Sequence, residues 1–127
     1  MKVQAINAPD GPSASGGYSQ AYLVEQPSRI LYISGQIPVD ADGSVPVDFE
    51  EQARLSWKNI ERQLAAAGMS LANIVKHTTF LSDREYRAAN SKVRQEVFGD
   101  HAPALTVIIA DIYDESWLLE IEAVAIS

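Results

Sequence analysis

Two carboxylates stand inside an otherwise apolar run near the end of the chain. In residues 118–126, Glu120 and Glu122 alternate with apolar side chains. Successive side chains of a β-strand point to opposite faces, so both glutamates share one face of a predicted strand. The pattern fits a solvated sheet face, or a carboxyl group at the edge of a pocket where it could act as a general acid or base. The strand alone leaves both interpretations open.

Other reactive side chains are scarce. The 127 residues include no cysteine, which excludes disulfides, thiolate metal sites and a thiol nucleophile. The two histidines, His77 and His101, have no metal-ligand spacing. We interpret His77 as a hydrogen-bonded or exposed histidine of a sheet. Chemistry in this chain is therefore expected to depend on carboxylates and hydroxyl groups.

The charge balance limits the classes of partner. Ten Lys and Arg residues face 17 Asp and Glu residues, for a net charge of -7. Such a surface repels phosphate backbones, so nucleic acid is not the expected partner. No apolar run approaches ~20 residues, and the N-terminus lacks the apolar core of a signal peptide. We expect a cytoplasmic protein with no membrane partner.

Two helices and six strands are predicted to position these groups. Asp48 and Glu51 form a capping box that starts the first helix, which Gly68 ends. The second helix is predicted over residues 83–98. The strands are predicted at residues 2–7, 18–25, 29–34, 73–81, 105–109 and 118–126.

The order of these elements, β-β-β-α-β-α-β-β, indicates the fold class. Each helix has a single apolar stripe, as expected for helices that cover one face of a mixed sheet in an α+β fold. The apolar content of the strands favours another subunit on the other face. The length and the absence of a long linker predict one domain over residues 1–127.

Five short motifs follow one another across nearly the whole chain. They are G-Y-S-Q-A at residues 17–21, I-S-G-Q-I-P at 33–38, N-I at 59–60 leading to A-A-G at 66–68, V-K-H-T-T-F-L at 75–81 and E-I-E-A at 120–123. In sequence and spacing they resemble the RidA/YjgF family, which is also labelled endoribonuclease L-PSP or translation initiation inhibitor.

The resemblance implies a chorismate-mutase-like fold with a mixed six-stranded sheet and two helices on one face. Three subunits then form a homotrimer around a central barrel, with a small-molecule cleft between each pair of neighbours. The implied activity is hydrolysis of reactive enamines or imines to a carbonyl compound and ammonia. No cofactor and no metal is implied.

The resemblance also assigns site residues. It implies that Glu120 places a water molecule or relays a proton, and that Tyr18 lines the cleft as a second catalytic residue. Backbone groups of Ser34 and Gly35 would assist in binding the substrate. Asn90 matches an asparagine on the second helix and is the fifth expected site residue.

Position 105 departs from the family pattern. Family members carry a P-A-R motif whose arginine grips the substrate carboxylate, whereas here Pro103-Ala104 is followed by Leu105, and no Lys or Arg follows Arg94. Losing one partner of a buried charge pair costs roughly 2–5 kcal/mol. This cost corresponds to an affinity for an anionic imine that is lower by about 30-fold to several-thousand-fold. With no fixed cation beside Leu105, a non-standard, less anionic substrate is expected.

Three functions remain open at this stage. The first is a deaminase in which the apolar Leu105 favours the protonated form of Glu120, which then donates a proton. The second is a non-catalytic member that binds a small apolar or aromatic molecule with Leu105, Tyr113 and Trp117. The third is a ribonuclease or translation inhibitor, against which the acidic composition argues.

Overall fold

The computed structural model describes all residues from 1 to 127 and contains the predicted elements in the predicted order. Two short 3-10 helices, Leu71–Asn73 and Arg84–Tyr86, precede the fourth strand and the second helix. The elements are β1 (Lys2–Ile6), β2 (Ala21–Glu25), β3 (Ile30–Gln36), α1 (Phe49–Ala66), β4 (Ile74–Leu81), α2 (Arg87–Phe98), β5 (Ala104–Ile109) and β6 (Leu119–Ile126). The α+β class is confirmed.

Four of the strands form a mixed sheet in the order β3-β6-β4-β5. β6 is antiparallel to both of its neighbours, whereas β4 and β5 are parallel because α2 crosses over between them.

The remaining two strands, β1 and β2, form a separate antiparallel ribbon, so the six strands are divided four and two. Ser19, just before β2, explains the division. Its amide donates to the carbonyl of Pro103 at 3.2 Å, and its hydroxyl donates to the carbonyl of Ala102 at 2.6 Å. These bonds direct the ribbon toward β5 instead of the edge of β3.

One face of the sheet is covered by the two helices. Asp48 caps α1 as predicted, because its carboxylate accepts a hydrogen bond from the amide of Glu51 at 3.1 Å. The buried side of α1 carries Phe49, Ala53, Trp57, Ile60 and Leu64. They form one apolar core with residues of β6 such as Ile121 and Ala123.

The opposite face of the sheet has no helix on it. Ile30, Tyr32 and Ile108 are 51%, 76% and 44% exposed there, a large apolar area for one sheet face. A second subunit on this face stays a prediction. No helix of the chain is both long and apolar enough to cross a membrane.

Candidate functional site

An open cleft of about 900 Å³ lies where the loop before β2 meets α2 and β5. Three of the predicted site residues, Tyr18, Asn90 and Leu105, line it together. They come from a loop, a helix and a strand far apart in the sequence. The fold therefore assembles half of the predicted site in one place.

The loop that carries Tyr18 is fixed on both sides of that residue. Gly16 and Gly17 have φ angles of 86° and 80°, a region that glycine adopts without strain. The carbonyl of Gly16 accepts a hydrogen bond from Arg94 at 2.8 Å, and Ser19 is tied to the start of β5. Tyr18 is consequently held at the cleft, half-buried.

Asn90 contributes an amide group from α2. The residue is only 3% exposed and lines the cleft, and its side-chain amide forms no hydrogen bond with the rest of the chain. Buried amides normally have partners. Its donors and acceptor are therefore available to a bound molecule.

β5 forms an apolar wall of the cleft. Leu105, Val107 and Ile109 alternate along the strand on its helix-covered side, and all three line the cleft. The aromatic residues expected to assist them do not, because Tyr113 is 96% exposed and neither it nor Trp117 reaches this cleft. The wall is aliphatic.

The cleft also contains three arginines that the sequence analysis missed, namely Arg84, Arg87 and Arg94. No Asp or Glu lines it. The expectation that no fixed cation neighbours Leu105 was wrong, because the cations come from earlier in the chain. The spacing on the second helix could have predicted two of them, because Arg87 lies three residues before Asn90 and Arg94 four residues after it, on the same helical face.

Arg94 is the buried member of the three. It is 7% exposed; its Nη2 donates to the carbonyl of Gly16 at 2.8 Å and to the hydroxyl of Ser91 at 3.2 Å. Its Nε is buried without a hydrogen-bond partner. Burial lowers the pKa of Arg94, and the nearby Tyr18 phenol opposes that shift. A guanidinium still keeps its charge at neutral pH.

The other predicted site residues lie together at the end of β3. The pairing of β3 with β6 is interrupted between Ile33 and Gln36, which places Ser34 and Gly35 in a bulge. The Glu120 carboxylate packs against Gly35 so closely that a Cβ atom there would collide with it. The carboxylate of Glu120 forms no hydrogen bond or ion pair within the chain. Its carboxylate is free to act on something else.

Glu120 and Leu105 lie on opposite faces of the sheet. Glu120 pairs with Phe80, on the open face, whereas Leu105 pairs with His77, which is buried on the helix-covered face. The expectation that Leu105 favours the protonated form of Glu120 is therefore wrong within one chain. The two residues can share a cavity only when different chains supply them.

His77 also departs from its expected environment. It is buried, its Nδ1 has no hydrogen-bond partner, and its ring stacks on Phe98 with centroids 5.0 Å apart and meets Trp57 edge-on at 5.2 Å. Burial, followed by the charges of Arg94, Lys76 and His101, lowers the pKa of His77 to about 3. It is a neutral core residue. No group of three acidic or histidine side chains is placed to hold a metal ion.

Comparison with known proteins identifies the family. The model for endoribonuclease L-PSP matches residues 8–127. The 2-iminobutanoate/2-iminopropanoate deaminase of Capra hircus is 37% identical over 123 residues, covering 95% of this chain and 88% of that protein. Escherichia coli TdcF with bound serine is 34% identical, with a TM-score of 0.74 and 98% of both chains covered. YyfB of Yersinia pestis, a Rid family protein of unknown function, is 26% identical with a TM-score of 0.87 over 100% of both chains. The chain therefore belongs to the endoribonuclease L-PSP family, that is, to the RidA/YjgF proteins.

Proposed function

We propose that this protein is an imine or enamine deaminase whose active site forms between neighbouring copies of the chain. The observation that carries the proposal is the division of the site. Tyr18 and Asn90 line a cleft without an acid, while the unpartnered Glu120 lies beside Gly35 on the opposite face of the sheet. A neighbouring chain can bring its Glu120 to that cleft. The deaminase name of the Capra hircus relative supports this reaction class.

The proposed reaction is hydrolysis of a C=N bond. Glu120 accepts a proton from water as the water oxygen bonds to the imine carbon. Glu120 passes this proton to the nitrogen, the hydroxyl group of the intermediate gives up a second proton to it, the C–N bond breaks as the C=O group forms, and ammonia leaves. The phenol of Tyr18 and the amide of Asn90 orient the substrate, and backbone groups of Ser34 and Gly35 assist. No electron is transferred, so acid–base groups suffice.

A homotrimer is part of the proposal. The exposed Ile30, Tyr32 and Ile108 lie on the face that carries Glu120, so packing this face against other copies would bury apolar area. We take residues 1–127 as a single domain of that assembly. Position 105 is apolar, and we propose that this protein therefore accepts a different imine from relatives with arginine there.

The test compares two glutamates of one strand. Imines are generated from amino acids by an amino acid oxidase in the presence of semicarbazide. Hydrolysis of the imine is measured as the decrease in the rate of semicarbazone formation. Glu120→Gln should reduce the rate about a hundredfold to ten-thousandfold, the usual contribution of a general acid or base. Glu122→Gln, two residues away on the same face, should leave the rate unchanged. Equal rates for all three proteins would contradict the proposal.

Mixing two inactive variants tests the shared site. If Tyr18 and Glu120 come from different chains, co-refolded Tyr18→Phe and Glu120→Gln proteins contain some sites with both native residues. Random assembly restores about a quarter of the sites. A mixture as inactive as its components would show that one chain supplies both residues.

A second candidate is a binding protein without catalysis. The aliphatic wall of Leu105, Val107 and Ile109 and the free amide of Asn90 favour it, since both suit recognition of a small molecule. A 2-oxo acid that stabilises the protein in thermal unfolding, with no acceleration of imine hydrolysis, would support this candidate. RNA cleavage that survives Glu120→Ala would instead support a ribonuclease.

A further inference from the structure

The three arginines of the cleft lie on one surface. Arg87 and Arg94 are seven residues apart on α2, two helical turns, and Arg84 lies in the short 3-10 helix that leads into it. Asn90 and Ser91 fill the turn between them and also line the cleft. One side of this helical segment therefore presents three guanidinium groups and two uncharged polar groups to the cleft.

These charges are not neutralised within the chain. The four ion pairs of the protein use Arg54, Arg62 and Lys92, and none involves Arg84, Arg87 or Arg94. The side chains of Arg84 and Arg87 form no hydrogen bond within the chain either. A protein with a net charge of -7 has thus collected three of its ten cationic Lys and Arg side chains at one cleft and left every carboxylate out of it. An anionic ligand would complete this arrangement.

Two details add to the case for an anion. Arg94 is more than nine-tenths buried beside the cleft, yet its Nε has no partner. A charge with incomplete hydrogen bonding is costly in a protein interior. Arg87 is the first residue of α2, and no acidic residue occupies the first turn. The positive end of the helix dipole and the cation at this position both attract negative charge.

The strand side of the cleft indicates the chemistry of the rest of the ligand. Leu105, Val107 and Ile109 on β5 and Leu81 on β4 are aliphatic and face the same space. A molecule that contacts both walls carries an anionic group at one end and an aliphatic body at the other. Arginine binds a carboxylate with two parallel hydrogen bonds, which fixes the orientation of such a molecule.

We propose that Arg84, Arg87 and Arg94 are the anion anchor of this cleft, in place of an arginine at position 105, and that they orient a carboxylate ligand so that its aliphatic body packs on Leu105, Val107 and Ile109. That this ligand is a substrate rests on the proposed deaminase activity, whereas the anchor itself does not. The carboxylate binds to the helix side of the cleft and the hydrocarbon to the strand side.

Calorimetric titration of the assembled protein tests the anchor without catalysis. The probe is the 2-oxo acid of leucine, which is the stable product of the proposed reaction. Arg87→Gln and Arg84→Gln should each weaken its binding about tenfold to a hundredfold. Arg54→Gln, an arginine held in ion pairs on α1, is the matched control and should bind as the native protein does. The methyl ester of the same acid, which lacks the charge, should bind weakly to all four proteins.

The outcomes separate this inference from the proposed function. Binding that needs Arg84 and Arg87, in a protein that hydrolyses no imine, would support the anchor and overturn the deaminase. Imine hydrolysis that needs Glu120 but is unchanged in Arg84→Gln and Arg87→Gln would support the deaminase and overturn the anchor. Tighter binding of 2-oxoglutarate or inorganic phosphate than of the leucine-derived acid would overturn the aliphatic monocarboxylate. Arg94→Lys provides a further variant, and thermal unfolding checks that it folds.

Discussion

The two helices of this protein begin in opposite ways. Asp48 caps α1, and Glu50 and Glu51 occupy its first turn, which is the favourable sign of charge at the positive end of a helix dipole. α2 starts at Arg87, with no side-chain cap and no acid in its own first turn, because the acidic cap, Asp83, lies one turn earlier and accepts a hydrogen bond from the amide of Glu85 in the 3-10 turn at 2.8 Å. Tyr86 holds this end by packing instead, since its ring stacks on Phe49 at 4.5 Å.

The outer surfaces of the helices extend this contrast. On the side away from the cleft, Arg54 of α1 contacts Glu50 and Glu96, and Lys92 of α2 contacts Glu50. On the cleft side, Arg87 and Arg94 have no acidic partner. The cations on the outer surface are paired with acids, whereas those on the cleft side of α2 are not. Residues that break a local rule without a compensating contact concentrate at functional sites, which is why the difference between the helices points to a ligand.

The largest effect is expected where the helices meet, at His77. The pKa of His77 is lowered to about 3 in the folded protein, against 6.5 in the unfolded chain. Below pH 6.5 the unfolded state therefore binds more protons than the folded state, and the free energy of unfolding decreases as the pH falls. The slope approaches about 1.4 kcal/mol for each pH unit, or roughly 2–3 kcal/mol between pH 6.5 and 4.5.

Urea unfolding at several pH values measures this loss, and His77→Gln is the control that should remove most of it. Ion pairing lowers the pKa values of Glu50 and Glu96, and because His77→Gln leaves these ion pairs in place, their contribution to the pH dependence is the same in both proteins. Arg94→Met should make the loss smaller and end it at a higher pH, because removing the cation raises the pKa of His77 in the folded protein toward its value in the unfolded chain. Arg54→Met should not. Parallel pH profiles for the native protein and the His77 variant would refute this account.

A second prediction moves the cation from the helix back to the strand. Arg87→Gln should weaken anion binding, and adding Leu105→Arg should restore about thirtyfold in affinity, since a cation then faces the cleft from position 105. The aliphatic wall is lost at the same time. The double variant should therefore prefer the small 2-oxo acid of alanine over that of leucine. Calorimetry with both acids measures the change, and an unchanged preference would show that residue 105 does not contact the ligand.

The sequence predicted α1 far better than the function of α2. The signals that define α1 are local, because Asp48, the apolar stripe and Gly68 lie within one stretch of chain. The sequence pattern directed attention to a cation at position 105, whereas the fold brings Arg84, Arg87 and Arg94 to the cleft from earlier in the chain. Tyr18, Asn90 and Leu105 could be grouped only through the resemblance, since contacts between a loop, a helix and a strand are not periodic.

Other differences had a clear physical origin as well. The strand alternation placed Glu120 and Glu122 on one face correctly, but the relation of that face to Leu105 depends on the pairing of β4 with both β5 and β6. The separate β1-β2 ribbon depends on two hydrogen bonds of Ser19. Both features depend on contacts between residues far apart in the sequence, so no short stretch of sequence predicts either of them.

A third prediction concerns the cap of α1. Asp48→Ala removes the acceptor for the amide of Glu51 and should lower the free energy of unfolding by about 1 kcal/mol. Asp48→Asn keeps an acceptor and should recover most of the loss. Chemical denaturation at pH 7 compares the three proteins. Ligand affinity should be the same in all of them, and a change in affinity would mean that α1 contributes to the site.

The smallest effect has the opposite sign. Arg87→Gln removes a cation from the positive end of α2, so it should raise the free energy of unfolding by about 0.3–1 kcal/mol while it weakens anion binding. The gain should shrink as salt is added, because screening reduces the interaction with the dipole. Arg54→Gln loses its contacts to Glu50 and Glu96 and should give no such gain. Thermal unfolding at low and high salt resolves the difference. If Arg87→Gln destabilised the free protein, Arg87 would belong to the packing of α2, and the contrast between the helices would no longer indicate a binding site.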